Sequence, residues 1–366
     1  MKKMFASLLA LSLMLVGCGG DSKGSDDTMN IVMITDKGTI EDKSFNQGTW
    51  EGIKAYAEAN KDKVKADYIK PTDGTTQYYN ESIDQAVNNY KADVIVTPGY
   101  LFENSIYEKQ KTYPDVKFIL VDGVPNDGKD NPETLDKDEN TYETAKNTVS
   151  IKYSEEQSGY LAGYAAVKEG FTKLGFMGGF AVPAVVNFGY GYVQGANDAA
   201  KELNKKVDMR YVYTNSFTPL DTIQSQADAW YKNGTEVIFS CGGGIFANIS
   251  AAASLNKAQV IGVDVDQSAD SETVITSAYK QLAVSVQHQL ESIANNTFEG
   301  GKNLVLGAAD DAVGLPMDTS RFKNFTKNEY DTLYSKIKSG NITIKNNASV
   351  KSVEELNPSN VTLSLK

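Results

Sequence analysis

The stretch ITDKGTIEDKSFNQ gathers Asp36, Phe45 and Asn46 behind an apolar run. A carboxylate there can accept hydrogen bonds from paired hydroxyls, and an aromatic ring can stack on a flat partner. The same residue types recur behind later apolar runs. Pro98-Gly99-Tyr100 follow ADVIVT, Asp122-Gly123 follow VKFILV, and Asn215-Ser216-Phe217-Thr218 follow VDMRYVYT. Gly242-Gly243-Gly244 follow VIFSC, Asp264 and Asp266 fall in VIGVDVDQ, and Lys280 follows TVITSAY. Acids, amides, glycine backbone, one lysine and two phenylalanines suit a small neutral polyol joined to a flat ring. Glycines let a ligand approach backbone N–H groups. Two rings on opposite walls can sandwich a planar heterocycle. A nucleoside has both halves, a ribose and a base. A phosphorylated ligand would call for an arginine or a true phosphate loop; the GGG run lacks the following Lys-Ser/Thr, and the acids would repel phosphate.

Other readings compete with this one. An Asp at the end of a parallel strand often caps the next helix, which Asp122 or Asp266 could do. Phe45 and Phe217 could plug the cores beneath them. Paired acids facing across one bond are the equipment of a glycosidase. Catalysis finds little other support. Cys241 ends an apolar run and reads as a small buried residue, and His288, the one histidine, lies in the helical pattern SVQHQLESI. Neither makes a zinc-site spacing. The expectation is a binding protein without cofactor or metal, not an enzyme.

The elements that must position these residues are plain in the hydropathy pattern. Short apolar runs (NIVMIT, ADVIVTPG, VKFILVDG) alternate with helical stretches such as QGTWEGIKAYAEANKD and TTQYYNESIDQAVNNYK. Continuous rather than alternating apolar strands indicate a parallel sheet buried on both faces. After an acidic excursion (GKDNPETLDKDENTYETAKN), NTVSIKYS reads as a strand and EEQSGYLAGYAAVKE as a closely packing helix. The alternation then starts afresh from KLGFMGGF. Two rounds of the same unit predict two doubly wound α/β lobes, and 366 residues are ample for both. A shorter third βα unit predicts a return to the first lobe before a last crossing. Ligands of such sheets bind at the carboxyl ends of the strands, here in the cleft between lobes.

The amino terminus sets the compartment. MKKMFASLLALSLMLVGCGG has a basic start and an apolar core too short to span a membrane comfortably. LVGC resembles a bacterial lipobox, which implies lipidation of Cys18, and GGDSKGSDD reads as a flexible tether. The formal net charge of −11, with lysines interleaved among acids, argues against a nucleic-acid partner.

The chain resembles the basic membrane protein family of lipoproteins, substrate-binding components of nucleoside ABC importers of the purine nucleoside receptor type. The resemblance is carried by TDKGTIEDKSFNQGTWEG, SGYLAGYAA, NSFTP, GTEVIFSCGGG, VIGVDVDQ and TSAYK. It implies a type I periplasmic-binding fold. It also implies that Phe45 and Phe217 sandwich the base, that Asp122 reads the base edge, and that Asp36 and Asp264 hold the ribose hydroxyls. Lys280 and the Gly242–Gly243 backbone lie beside them, with Asn46 a further contact. The expected ligand is a nucleoside (guanosine, inosine or adenosine), captured by lobe closure for an ABC permease in the membrane by a monomer anchored outside the cell membrane. A sensory lipoprotein or a sugar receptor of the same fold is the alternative. The expected division is a signal peptide over 1–17, a tether over 18–29, a first lobe of 30–152 plus 277–308, and a second of 153–276 plus 309–366.

Overall fold

The computed structural model describes residues 28–129 and 139–365. The signal peptide, Cys18 and nearly all of the tether lie outside them, as do residues 130–138 of the acidic excursion. In chain order the first elements are β1 (Met29–Ile34), α1 (Phe45–Ala59), β2 (Val64–Ile69), α2 (Thr76–Asn88), β3 (Val94–Pro98), α3 (Glu103–Thr112), β4 (Lys117–Val121) and β5 (Thr148–Tyr153). Next come α4 (Glu155–Glu169), β6 (Lys173–Gly178), α5 (Pro183–Glu202), β7 (Val207–Tyr213), α6 (Asp221–Lys232), β8 (Val237–Cys241), α7 (Ile245–Asn256), β9 (Gln259–Asp264) and β10 (Val274–Lys280). The chain ends with α8 (Leu282–Ala294), β11 (Lys302–Leu306), β12 (Val313–Gly314), α9 (Lys327–Lys338) and β13 (Val361–Ser364).

Two sheets form. The six-stranded one runs β11-β5-β4-β3-β1-β2, and the seven-stranded one runs β12-β10-β9-β8-β6-β7-β13. Pairings are parallel except for the short antiparallel β10–β12 contact. β3 and β8 are buried along their whole length, because helices cover both sheet faces and no position needs to meet water. This is the doubly wound two-lobe architecture expected of the sequence.

The chain crosses between the lobes after Tyr153, after Lys280, and between β11 and β12. The crossings are bonded to one another. Ser154 N–H donates to Leu306 O at 3.0 Å, Ala308 N–H to Gln157 Oε1 at 2.7 Å, and Gln281 N–H to Ala312 O at 2.8 Å. The second crossing differs from the expected 277. Val274–Lys280 is one strand of the second sheet, paired with β9 as far as Tyr279, so the return to the first lobe begins with Gln281. α8 then packs on α1, where Gln287 Nε2 donates to Gly52 O at 3.3 Å. The run KNLVLGAADDAVGL, which reads as a strand pair or an extended stretch, forms two strands, β11 joining the first sheet and β12 the second. Nothing in the hydropathy pattern announced β13, which pairs with β7.

Within the second lobe α4 and α5 lie against each other. A Cβ at Gly159 or Gly163 would lie 2.1 Å from the carbonyl oxygen of Phe188 or Tyr192, and one at Gly191 or Gly195 would lie 2.0 or 1.9 Å from that of Glu156 or Tyr160. Glycine at these four places brings the two backbones into direct contact. Overpacking a close interface costs on the order of 1–3 kcal/mol or more. Gly163→Val should therefore lower unfolding free energy by about 3 kcal/mol in urea titration; a change within about 0.5 kcal/mol would show that the helices can part without penalty.

Candidate functional site

The strand ends of both sheets face one cavity between the lobes. From the first lobe it is lined by Asp36, Phe45, Asn46 and Asp122, and from the second by Phe217, Gly242, Gly243, Asp264 and Lys280. The nine residues expected to bind a ligand meet there. Asp266 does not: its carboxylate accepts from Ser268 N–H and the Thr319 hydroxyl on the surface.

Lys280 is the centre of the arrangement. The residue is only 4% exposed, and its ammonium lies 2.5 Å from Asp122 Oδ2 and 3.0 Å from Asp264 Oδ1. It also sits 4.6 Å from the Phe45 ring centroid, close enough for cation–π attraction, which takes one face of that ring. Burial alone would push the ammonium's pKa down; the Asp122, Asp264 and Glu155 charges together push it up, so it stays protonated. Asp122 is raised by its burial, against which Lys280 pulls down. Asp122 and Asp264 are thus both gripped by the lysine expected beside them. Asp264 also accepts from Ser44 Oγ at 2.5 Å across the cleft. Asp122 Oδ1 is buried without a hydrogen-bond partner among the described residues, and so is an acceptor in need of a donor.

Both acids occupy left-handed backbone, with φ of 56° at Asp122 and 66° at Asp264. Asp tolerates this region better than most residues, yet it remains strained and concentrates at functional positions.

Asp36 is held differently. Its Oδ1 accepts from Gly38 N–H at 2.7 Å and from Asn46 Nδ2 at 2.8 Å, while Asn46 Oδ1 accepts from Asp36 N–H at 3.2 Å. Asn46 gives its other amide hydrogen to Asp42 Oδ2 at 2.8 Å. Both amide hydrogens are thereby committed within the loop, so Asn46 shapes the wall by fixing Asp36. Gly38 is required here, since a Cβ would fall 2.4 Å from Asn46 Nδ2. Burial pushes Asp36 up to about 6 against these hydrogen bonds. Phe45 and Asn46 belong to the first turn of α1 rather than to the loop before it.

Phe217 stands on the second lobe in edge contact with Phe180, centroids 5.1 Å apart. Its ring fits only because residue 179 is glycine: a Cβ there would lie 2.3 Å from the ring. Sequence reasoning missed Val182 and the first turn of α5, whose Pro183 and Val185 line the cavity with Phe188, and it missed Asp42. The α5 wall follows the GG after β6, so the strand-end rule applied to it as well. Cys241 also lines the cavity, and burial pushes its thiol well up, which suits a packing residue.

Removing Lys280 would leave two buried carboxylates uncompensated, a loss of about 3–5 kcal/mol. Lys280→Met should lower thermal stability strongly at pH 8 and less at pH 5. The orphaned acids would have raised folded-state pKa values, so their penalty is present at high pH and relieved as each takes a proton. Equal loss at both pH values would deny that the ion cluster is what holds this region.

The chain is 28% identical over 362 residues to the ABC transporter nucleoside-binding protein BmpA of Lactococcus lactis subsp. cremoris, covering 88% of this chain and 95% of that one. It is 27% identical to basic membrane protein A of Borreliella burgdorferi, covering 95% and 96%. Among solved structures, an ABC transporter solute-binding protein from Aeropyrum pernix K1 superposes with a TM-score of 0.67 at 21% identity, covering 90% of each chain, a likeness of fold. The model of the Bmp family, described as ABC transporter substrate-binding protein PnrA-like, matches residues 29–348, which take in both lobes, and the chain belongs to that family.

Proposed function

We propose that this substrate-binding protein captures nucleosides, purine nucleosides foremost, in the inter-lobe cavity and presents them to an ABC permease from an extracytoplasmic position anchored through Cys18. The observation that carries the reading is one cavity drawing a phenylalanine from each lobe, Phe45 and Phe217, among three strand-end acids. The rings supply faces for a base, and Asp36 and Asp264 supply acceptors for ribose hydroxyls. Asp122 Oδ1 supplies an acceptor for a ring N–H, which suits guanosine or inosine. The name of the Lactococcus relative, a nucleoside-binding protein, supports the same ligand class.

Capture proceeds by closure of the lobes. Ligand bridging both lobes biases a hinge toward the closed state. Contacts across the cleft support such a state: Gln267 Nε2 donates to Lys43 O at 2.7 Å, Lys43 Nζ lies 3.1 Å from Asp270, and Lys37 Nζ lies 5.9 Å from the Phe180 ring centroid. No bond in the ligand is made or broken.

Calorimetry of the soluble form after unfolding and refolding, which strips carried ligand, should give submicromolar binding of at least one nucleoside with free ribose silent. Phe217→Ala should weaken that binding by at least about tenfold, the loss of a buried stacking partner. Binding of ribose alone would keep the fold and overturn the roles given to the two rings and Asp122.

Asp36 adds a pH dependence. An ionised carboxylate accepts from hydroxyls more strongly than a neutral acid does, and burial pushes Asp36 up to about 6. Binding lowers that value, so affinity should be level near pH 7 and fall as pH drops toward 5. In Asp36→Asn this acid limb should vanish along with part of the affinity; a wild-type affinity independent of pH between 5 and 7 would remove Asp36 from the ribose site.

A further inference from the structure

Glu155 does not line the cavity, yet it belongs to the same cluster of charge. It opens α4 immediately after the first crossing and is 4% exposed. Among the described residues its carboxylate receives one hydrogen bond, from Asn187 Nδ2 to Oε2 at a long 3.2 Å. The orientation of that amide is set independently, because Asn187 Oδ1 accepts from Asn347 N–H at 2.9 Å. A buried carboxylate with a single weak donor is poorly compensated as an anion.

The groups facing it do not make up the difference. They are Asp122 at the end of β4, Lys280 at the end of β10, Glu156 on its own helix, Tyr153 on β5 and Cys241 on β8. Lys280 is the one cation among them, and its ammonium is already within 2.5 Å of Asp122 and 3.0 Å of Asp264. Glu155 makes no ion pair with that ammonium but acts on it through its charge, and the exposed Lys152 on β5 acts on Asp122 and Glu156. With Asp122, Asp264 and Glu155 all ionised, the three carboxylates exceed the buried ammonium by two negative charges, and with one proton by a single one. Burial first, then the Asp122 charge, pushes Glu155 up to about 8, with Lys280 pulling the other way.

We propose that Glu155 is the proton-holding, positioning residue of the ligand site: it remains a neutral acid in the working protein, so that Asp122 and Asp264 are the anions that grip Lys280 and meet the ligand. The choice of proton holder follows from hydrogen bonding. Asp122 has a direct ion pair and Asp264 has one together with the Ser44 hydroxyl, while Glu155 has only the Asn187 amide. Loss of the Glu155 proton places a second uncompensated charge beside Asp122 and loosens the grip on Lys280. Ligand capture, which seals the cavity further, strengthens the hold on the proton, so affinity must fall as pH rises past the point where the free protein releases it. The ligand part of this inference rests on the proposed nucleoside site; the proton does not.

The test uses Glu155→Gln, which keeps shape and an acceptor for Asn187 while mimicking the neutral acid. Infrared difference spectra of the ligand-free proteins, wild type minus variant, should show a protonated-carboxyl band at pH 7. That band should give way to carboxylate bands with a midpoint near 8. Guanosine affinity, measured in parallel, should agree within about twofold between the two proteins at pH 6.5, and the wild-type-to-variant ratio should drop roughly fivefold or more by pH 9.5. Taking the ratio cancels ionisation of guanosine itself. A missing protonated-carboxyl band at pH 7 overturns the inference whatever binds. A band present with a level affinity ratio overturns the coupling to ligand. A band present with no guanosine binding to either protein upholds the held proton and overturns the purine reading of the site.

Discussion

One buried ammonium decides how this molecule is put together. Lys280 is the last residue of β10 before the chain returns to the first lobe, and its two ion-pair partners come from different lobes, Asp122 from the first and Asp264 from the second. Taking ions out of water is costly, and the cost is offset only where geometry is good and every charge finds a partner. A burial of this kind ties the lobes together at the hinge side of the cleft. It also sets the charge of the cavity floor and occupies one face of the Phe45 ring. The acids of the cavity are therefore not free carboxylates on a loop but members of a preformed network with a defined set of remaining lone pairs.

The scaffold exists to bring strand ends together. Parallel strands all deliver their carboxyl ends to one edge, and two sheets facing each other turn two edges into one cavity. Small residues then decide how closely things approach. Glycines at 159, 163, 191 and 195 let α4 and α5 touch backbone to backbone beneath the crossings, and glycine at 179 clears room for the Phe217 ring. Strain is placed beside them, at the left-handed Asp122 and Asp264, where only the surrounding structure can hold it.

Much of this was legible along the chain because its signals are local. Continuous apolar runs mark buried parallel strands, and the residues just past each run are those that the sheet edge presents. Asp36, Asp122, Phe217, Asp264 and Lys280 could therefore be named without coordinates. Less legible were features set by partners distant in sequence. The lobe boundary expected at 277 falls inside the strand through Lys280, whose place in the second sheet is set by pairing with β9. β13 went unnoticed because four residues at a sheet edge carry no distinctive pattern. Asn46 read as a ligand contact because a side-chain amide looks the same whether its hydrogens face a cavity or, as here, two neighbouring aspartates. Glu155 carried no signal of its own within the helical stretch EEQSGYLAGYAAVKE.

The sequence by itself determined the class of fold, the edge at which a ligand must sit and the chemical types gathered there, since each follows from hydropathy period and from residues adjacent in the chain. Tertiary structure alone decided which charges are compensated. Asp122, Glu155, Asp264 and Lys280 are far apart in the chain, and whether each carboxylate is an open acceptor, a salt-bridge partner or a holder of a proton depends on burial and on a few ångströms of separation. Coulombic energy varies steeply at such distances in a low-dielectric interior, and nothing in the order of residues encodes it until the two lobes have closed around the same ion.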